Sequence, residues 1–144
     1  MQLSEQWVLV TGGARGLGQS ITRALAREGA GVVINYLHSD AAAQALAEEL
    51  GPRALALQAD VTDAAAVQRL FAQARERTGQ PISAVVNNAL AQFRFDGDAR
   101  PQIGDITWQR FAQQLEGAVK GALNTTQAAL PAMREQGFGR IVNV

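Results

Sequence analysis

The chain has 144 residues, 47% of them hydrophobic, which suits one domain with its own core. Lys+Arg and Asp+Glu number 13 each, so the zero net charge argues against nucleic acid or an anionic membrane as main partner. No cysteine is present, which excludes a disulfide framework, a thiolate metal site and a cysteine nucleophile.

The first apolar run, residues 7–10, starts so close to Met1 that no room is expected for a signal or transit peptide. No run approaches membrane-spanning length, and a soluble, cytoplasmic protein is expected. Thr11-Gly12-Gly13-Ala14-Arg15-Gly16-Leu17-Gly18 follows that run and opens an amphipathic helix with Ile21, Leu25 and Ala26 on one face. Strand, glycine turn and helix in this order let a backbone wrap a dinucleotide pyrophosphate. Gly12, Gly16 and Gly18 allow the tight turn and the close approach, and the free amides near Gly16, Leu17 and Gln19 face the anion.

Further apolar runs at 31–34, 54–59, 82–86 and 140–144 alternate with helical stretches. Ala42, Ala45, Leu46, Glu49 and Leu50 trace the second helix, and Val67, Leu70, Phe71 and Ala74 the third. Asp40 and Gly51-Pro52 bound the second helix, Asp63 and Gly79 the third. Continuous apolar strands between helices predict a parallel sheet buried on both faces. Right-handed crossovers then predict a single Rossmann-like, doubly wound α/β domain over 1–144, strand order 3-2-1-4-5. The segment from Gln92 to Asp105 is polar and broken by Gly and Pro; it reads as a loop above the sheet, either a substrate lid or merely a connection. The stretch from Ile106 to Gln136 reads as a long helix that Pro131 should bend or shorten.

The end of the second run bears on which coenzyme fits. NAD sites usually carry Asp or Glu there for the ribose 2′-hydroxyl. This run ends Ile34-Asn35-Tyr36, with no acid before Asp40, so repulsion of a 2′-phosphate is removed. Arg15 supplies a charged fork suited to that phosphate, and Ser39 a hydroxyl. The plainer reading of Arg15 is a solvated surface side chain. NADP(H) is the expected coenzyme. His38, the single histidine, reads as an exposed loop residue, and no metal ligand set is expected.

Taken together, these residues resemble the short-chain dehydrogenase/reductase family, in its 3-oxoacyl-(acyl-carrier-protein) reductase-like branch. The spacing Thr-Gly-x-x-x-Gly-x-Gly, Asp60-Val61 after the third strand, Asn87-Asn88-Ala89 after the fourth, and "NTTQAALPAM" with "GRIVNV" carry the likeness along essentially the whole chain. The resemblance implies that Asp60 and Val61 contact adenine, and that Asn87 and Ala89 lie near the coenzyme. Asp60 alternatively begins an N-cap with Thr62 or Asp63, and the two asparagine amides could equally tie strands together.

The same resemblance calls for a serine after the fifth strand and a Tyr-x-x-x-Lys pair beyond it. The only tyrosine is Tyr36 and the only lysine Lys120; four residues after Tyr36 stands Asp40. No catalytic group of that set is therefore expected here, and the chain alone is predicted inactive toward a carbonyl. The chain is expected to be truncated after strand five, continuing past Val144 or needing a partner to cover an open sheet edge. An asparagine of the family's long helix is also missing: counting from "NTTQAALP" puts Ala118 there, counting from Trp108 puts Leu115 there. Leu90 replaces the glycine that usually follows Asn-Asn-Ala and narrows the space beside the nicotinamide.

The reading is therefore an NADP(H)-binding segment of a reductase acting on a small-molecule or acyl-carrier-bound ketone, with a role in fatty acid synthesis implied. A homodimer or homotetramer through the Ile106 to Gln136 helix is expected, with Phe111, Leu115, Val119 and Leu123 as its stripe; burial within one subunit would explain the stripe nearly as well. A non-catalytic nucleotide-binding or interaction module is the rival, and an epimerase or dehydratase of the extended family ranks below both.

Overall fold

Period-two alternation in the short apolar runs sends successive side chains to opposite faces, and this sheet buries both. A computed structural model describes residues 1–90 and 101–144. Five strands, β1 (Trp7–Val10), β2 (Gly31–Tyr36), β3 (Ala54–Gln58), β4 (Ala84–Asn87) and β5 (Arg140–Asn143), form one sheet in the order β3-β2-β1-β4-β5. All four pairings are parallel, as the sequence pattern predicts. Val10, the last residue of β1, lies level with Ile34 on one side and Val86 on the other, while β2 runs on to Tyr36 and β4 to Asn87.

Val8, Val10, Val32 and Val86 point to the face covered by α1 (Gly16–Arg27), against Ile21, Leu25 and Ala26. Leu9, Val33, Leu57 and Val85 point to the other face, packing with Leu70, Phe71 and Ala74 of α3 (Ala64–Thr78). α2 (Asp40–Leu50) differs from the expected face. Ala43 and Leu46 are buried, Ala47 and Leu50 partly so, while Ala45 and Glu49 are exposed. Five alanines make neighbouring stripes alike in sequence, and Glu49 is drawn outward to Arg23, which donates to it at 2.9 and 2.7 Å. The caps fall where expected: Asp63 Oδ1 accepts from the amides of Ala65 and Ala66, and Gly79 closes α3 at φ +69°.

The long helical stretch has three parts: α4 (Trp108–Leu115), a wide π-turn (Glu116–Lys120) and α5 (Gly121–Glu135). Pro131 sits inside α5 on its exposed side, and the helix runs on only to Glu135. Phe111, Leu115, Val119 and Leu123 are all exposed among the described residues. Of the loop expected from Gln92 to Asp105, the part up to residue 100 lies outside the described residues; Ile103–Asp105 forms a single 3-10 turn. Among the described residues no helix is long and apolar enough to cross a membrane.

Candidate functional site

The parallel register brings the glycine turn, the end of β2 and the end of β4 together at the carboxyl edge of the sheet, where open α/β sheets bind ligands. Thr11 is the joint. Its amide and its hydroxyl both donate to the Val86 carbonyl, at 3.0 and 3.3 Å. The same hydroxyl oxygen accepts from the amides of Asn88 and Ala89, at 2.9 and 3.0 Å. Asn88 Nδ2 donates back to the carbonyls of Thr11 and Gly12, at 3.0 and 3.3 Å. Asn88 thus ties strand ends, one of the two roles left open for it.

The glycines fall into two kinds. A Cβ on Gly18 would stand 2.2 Å from the Gly12 carbonyl oxygen and 2.6 Å from Asn88 Nδ2, so the turn closes only over a bare backbone. Gly16, at φ +54°, has nothing within 4 Å of the place its Cβ would take. The first helical hydrogen bond of α1 runs from the Gln19 amide to the Arg15 carbonyl. The amides of Gly16, Leu17 and Gly18 precede it at the start of the helix, and Gly16 and Leu17 are exposed, the arrangement in which a helix N-terminus can meet an anion.

At the end of β2, Asn35 is buried rather than presented. Its Nδ2 donates to the Ala59 carbonyl at 3.0 Å, and its backbone carbonyl accepts from the Gly13 amide at 3.0 Å. Asn35 therefore anchors the glycine turn to β2 and β3. Tyr36 is also buried, and its hydroxyl donates to Asp40 Oδ1, which accepts from Gln44 Nε2 as well. The bond to Asp40, aided by burial, raises the tyrosine pKa; the same bond, with Gln44, lowers that of Asp40. Arg15 is exposed, and its side chain carries no hydrogen bond or ion pair to the described residues. Ser39 precedes α2 as a half-buried N-cap residue, and His38 is exposed.

Past β3, Asp60 Oδ1 accepts from both the amide and the hydroxyl of Thr62, at 2.8 and 2.7 Å, while Asp63 caps α3. Val61 is buried, and its carbonyl accepts from Asn124 Nδ2 at 2.8 Å. Gly121 lets α5 lie against that valine, since a Cβ there would stand 2.8 Å from Val61 Cγ2.

At β4, Asn87 joins three elements. Thr125 Oγ1 donates to its Oδ1 at 2.6 Å, and its Nδ2 donates to Asn143 Oδ1 at 2.9 Å. Asn87, Ala89, Leu90, Ala118, Ala122 and Asn143 line a recess of about 340 Å³. Of the two positions reached by counting along the long helix, Ala118 lines this recess and Leu115 does not. Lys120 pairs with Glu116 at 3.2 Å, and Tyr36 with Asp40, so the one lysine and the one tyrosine do not meet. Among the described residues no three His, Cys, Asp or Glu side chains gather to hold a metal.

The structure thus brings Gly12, Arg15, Gly16, Leu17, Gly18, Asn35, Tyr36, Ser39, Asn87 and Ala89 to one edge of the sheet, with Asp60 and Val61 beyond β3. Sequence reading missed Thr11, Thr125, Asn124 and Asn143 as organising side chains. Only Thr11 had a local signal, its place directly after β1; the others act through partners distant in the chain.

The family model described as short chain dehydrogenase matches residues 6–144. The chain is 39% identical to a sorbitol dehydrogenase of Cereibacter sphaeroides, with 100% of this chain and 54% of that protein covered. It is 36% identical to an L-rhamnose 1-dehydrogenase (NAD(P)(+)) of Azotobacter vinelandii, over 96% of this chain and 54% of the relative. To a 3-oxoacyl-(acyl-carrier-protein) reductase of Staphylococcus aureus it is 34% identical, over 94% and 54% respectively. The chain spans about half the length of the curated relatives it matches. With the glycine turn, the strand order and this match in agreement, the chain belongs to the short-chain dehydrogenase family.

Proposed function

We propose that the chain is the coenzyme-holding part of an NADP(H)-dependent oxidoreductase that reduces a ketone to an alcohol. The observation that carries this reading is the glycine turn itself: Gly18 packs against the Gly12 backbone, while Gly16 is exposed at a left-handed φ where the first amides of α1 begin. Bound there, the coenzyme supplies a hydride for the carbonyl carbon; the proton for the alkoxide oxygen comes from a group outside these 144 residues. The amides of Gly16, Leu17 and Gly18 take the pyrophosphate, with Gly12 turning the chain behind it. Arg15, whose side chain has no partner among the described residues, and Ser39 take the 2′-phosphate. Asp60 and the Val61 backbone border the adenine; Asn87 and Ala89 border the nicotinamide ribose. Asn35 and Tyr36 shape the pocket from behind.

A 3-oxoacyl-type substrate, free or on an acyl carrier, is supported by the likeness to the Staphylococcus aureus reductase. The exposed stripe Phe111, Leu115, Val119 and Leu123 supports a homodimer or homotetramer through the long helix. A cytoplasmic location suits such an enzyme. Leu90 and Ala118 in the recess favour the second reading, a non-catalytic nucleotide-binding module.

Titration of the purified protein with NADPH and NADH, followed by quenching of its two tryptophans, tests the main reading. Arg15→Ala is expected to weaken NADPH about tenfold or more, the loss of a charge-assisted contact, and to leave NADH nearly unchanged. Equal losses for both coenzymes discard the 2′-phosphate role.

A further inference from the structure

At the coenzyme edge of the sheet, one charge has so far no role. Asp40 opens α2 on the surface, yet its carboxylate is not loose: the Tyr36 hydroxyl and Gln44 Nε2 both donate to Oδ1. Tyr36 in turn packs with Ala14, Ile34 and Ala43, so its ring joins the glycine turn to α2. Arg15 follows Ala14 directly and remains exposed without an ion pair. One buried tyrosine therefore lies between two exposed, opposite charges, a guanidinium on the turn that is unpaired among the described residues and a tethered carboxylate on the helix.

We propose that Asp40, held by Tyr36 beside the end of β2, opposes Arg15 and moderates the preference for a coenzyme bearing a 2′-phosphate. This rests on the reading of the glycine turn as the coenzyme site. A ribose 2′-phosphate carries nearly two negative charges and a 2′-hydroxyl none, so a fixed carboxylate repels only the former. The tether matters because a free aspartate would swing into water and lose most of its field at this exposed position. The hydrogen bonds that hold it also lower its pKa, so the charge persists throughout the neutral range.

The experiment measures NADPH and NADH affinities of wild type, Asp40→Asn, Tyr36→Phe and, as a control for net charge, Glu48→Gln at the far end of the same helix. Asn retains an acceptor for the Tyr36 hydroxyl and removes only the charge. Asp40→Asn is expected to tighten NADPH about fivefold, to leave NADH within about twofold, and to lose its advantage as salt approaches about 0.5 M. Tyr36→Phe, which frees the carboxylate without removing it, is expected to shift the ratio the same way by less. An unchanged ratio in both variants, or an equal shift in Glu48→Gln, overturns the proposal. Failure of wild type to bind either coenzyme overturns the coenzyme site itself, a different result from tight binding with an unmoved ratio.

Discussion

Replacing Gly16 and Gly18 one at a time by alanine separates the ligand-facing glycine from the structural one. At Gly16 the new methyl meets nothing within 4 Å, so the cost is conformational: φ +54° lies in the left-handed region. That strain is about 1–2 kcal/mol, partly offset by a stiffer unfolded chain, leaving about 1 kcal/mol, or about 3–4 °C in Tm for this size. At Gly18 the methyl would stand 2.2 Å from the Gly12 carbonyl oxygen, so the backbone must open by about 1 Å to reach ordinary contact. Opening breaks the bonds from Asn88 Nδ2 to Thr11 and Gly12, at about 1 kcal/mol each, and adds packing strain of about 1 kcal/mol or more. Gly18→Ala should therefore cost about 3 kcal/mol. Urea unfolding followed by far-ultraviolet circular dichroism measures both. Coenzyme titration must then show the opposite emphasis: Gly16→Ala stays folded but loses binding, because its methyl fills the space an incoming phosphate needs. Gly16→Asn, which tolerates left-handed φ better, should be nearly as stable as wild type and still fail to bind. Wild-type coenzyme affinity in Gly16→Ala, or equal stability of the two alanine variants, refutes the assignment.

Other outcomes follow from the same geometry. Thr125→Val keeps the shape but leaves the buried Asn87 Oδ1 without its 2.6 Å donor; chemical unfolding should show a loss of about 1–3 kcal/mol, and Thr125→Ser should recover most of it. Asp63→Ala removes the acceptor for two amides at the start of α3 and should cost about 1 kcal/mol in the same assay. The chain has a single tyrosine, so tyrosinate absorbance reports Tyr36 alone. Asp40→Ala should lower its raised pKa toward the ordinary phenol value, since the acceptor of its proton is gone. Because the Asp40 pKa is depressed in the folded state, the stability it contributes is present above the ordinary carboxylate pKa and fades as pH falls through the depressed value. In Tyr36→Phe that acid loss should diminish, and an unchanged acid limb would refute the coupling.

Periodicity and punctuation were local enough for the sequence to reveal most of the architecture. Short, continuous apolar runs mark five strands, Asp63 and Gly79 bracket α3, and right-handed crossovers leave few ways to order parallel strands. The glycine turn was equally legible, because strand, glycines and helix adjoin in the chain. The contacts that rigidify the site were not, because their partners lie far apart: Thr125 reaches Asn87 across 38 residues, Asn87 reaches Asn143 across 56, and Thr11 meets Asn88 across 77. Two ambiguities also needed three dimensions. Alanine-rich α2 carries several equivalent apolar stripes, and only the sheet beneath it selects Ala43 and Leu46. The long helix admits two registers by counting, and of the two positions only Ala118 lines the recess beside β4. A chain's order determines which elements form, because propensity, caps and turns act over a few residues. Which polar side chains meet at the sheet edge is decided by packing, because a buried amide must find its partner wherever the fold has carried it.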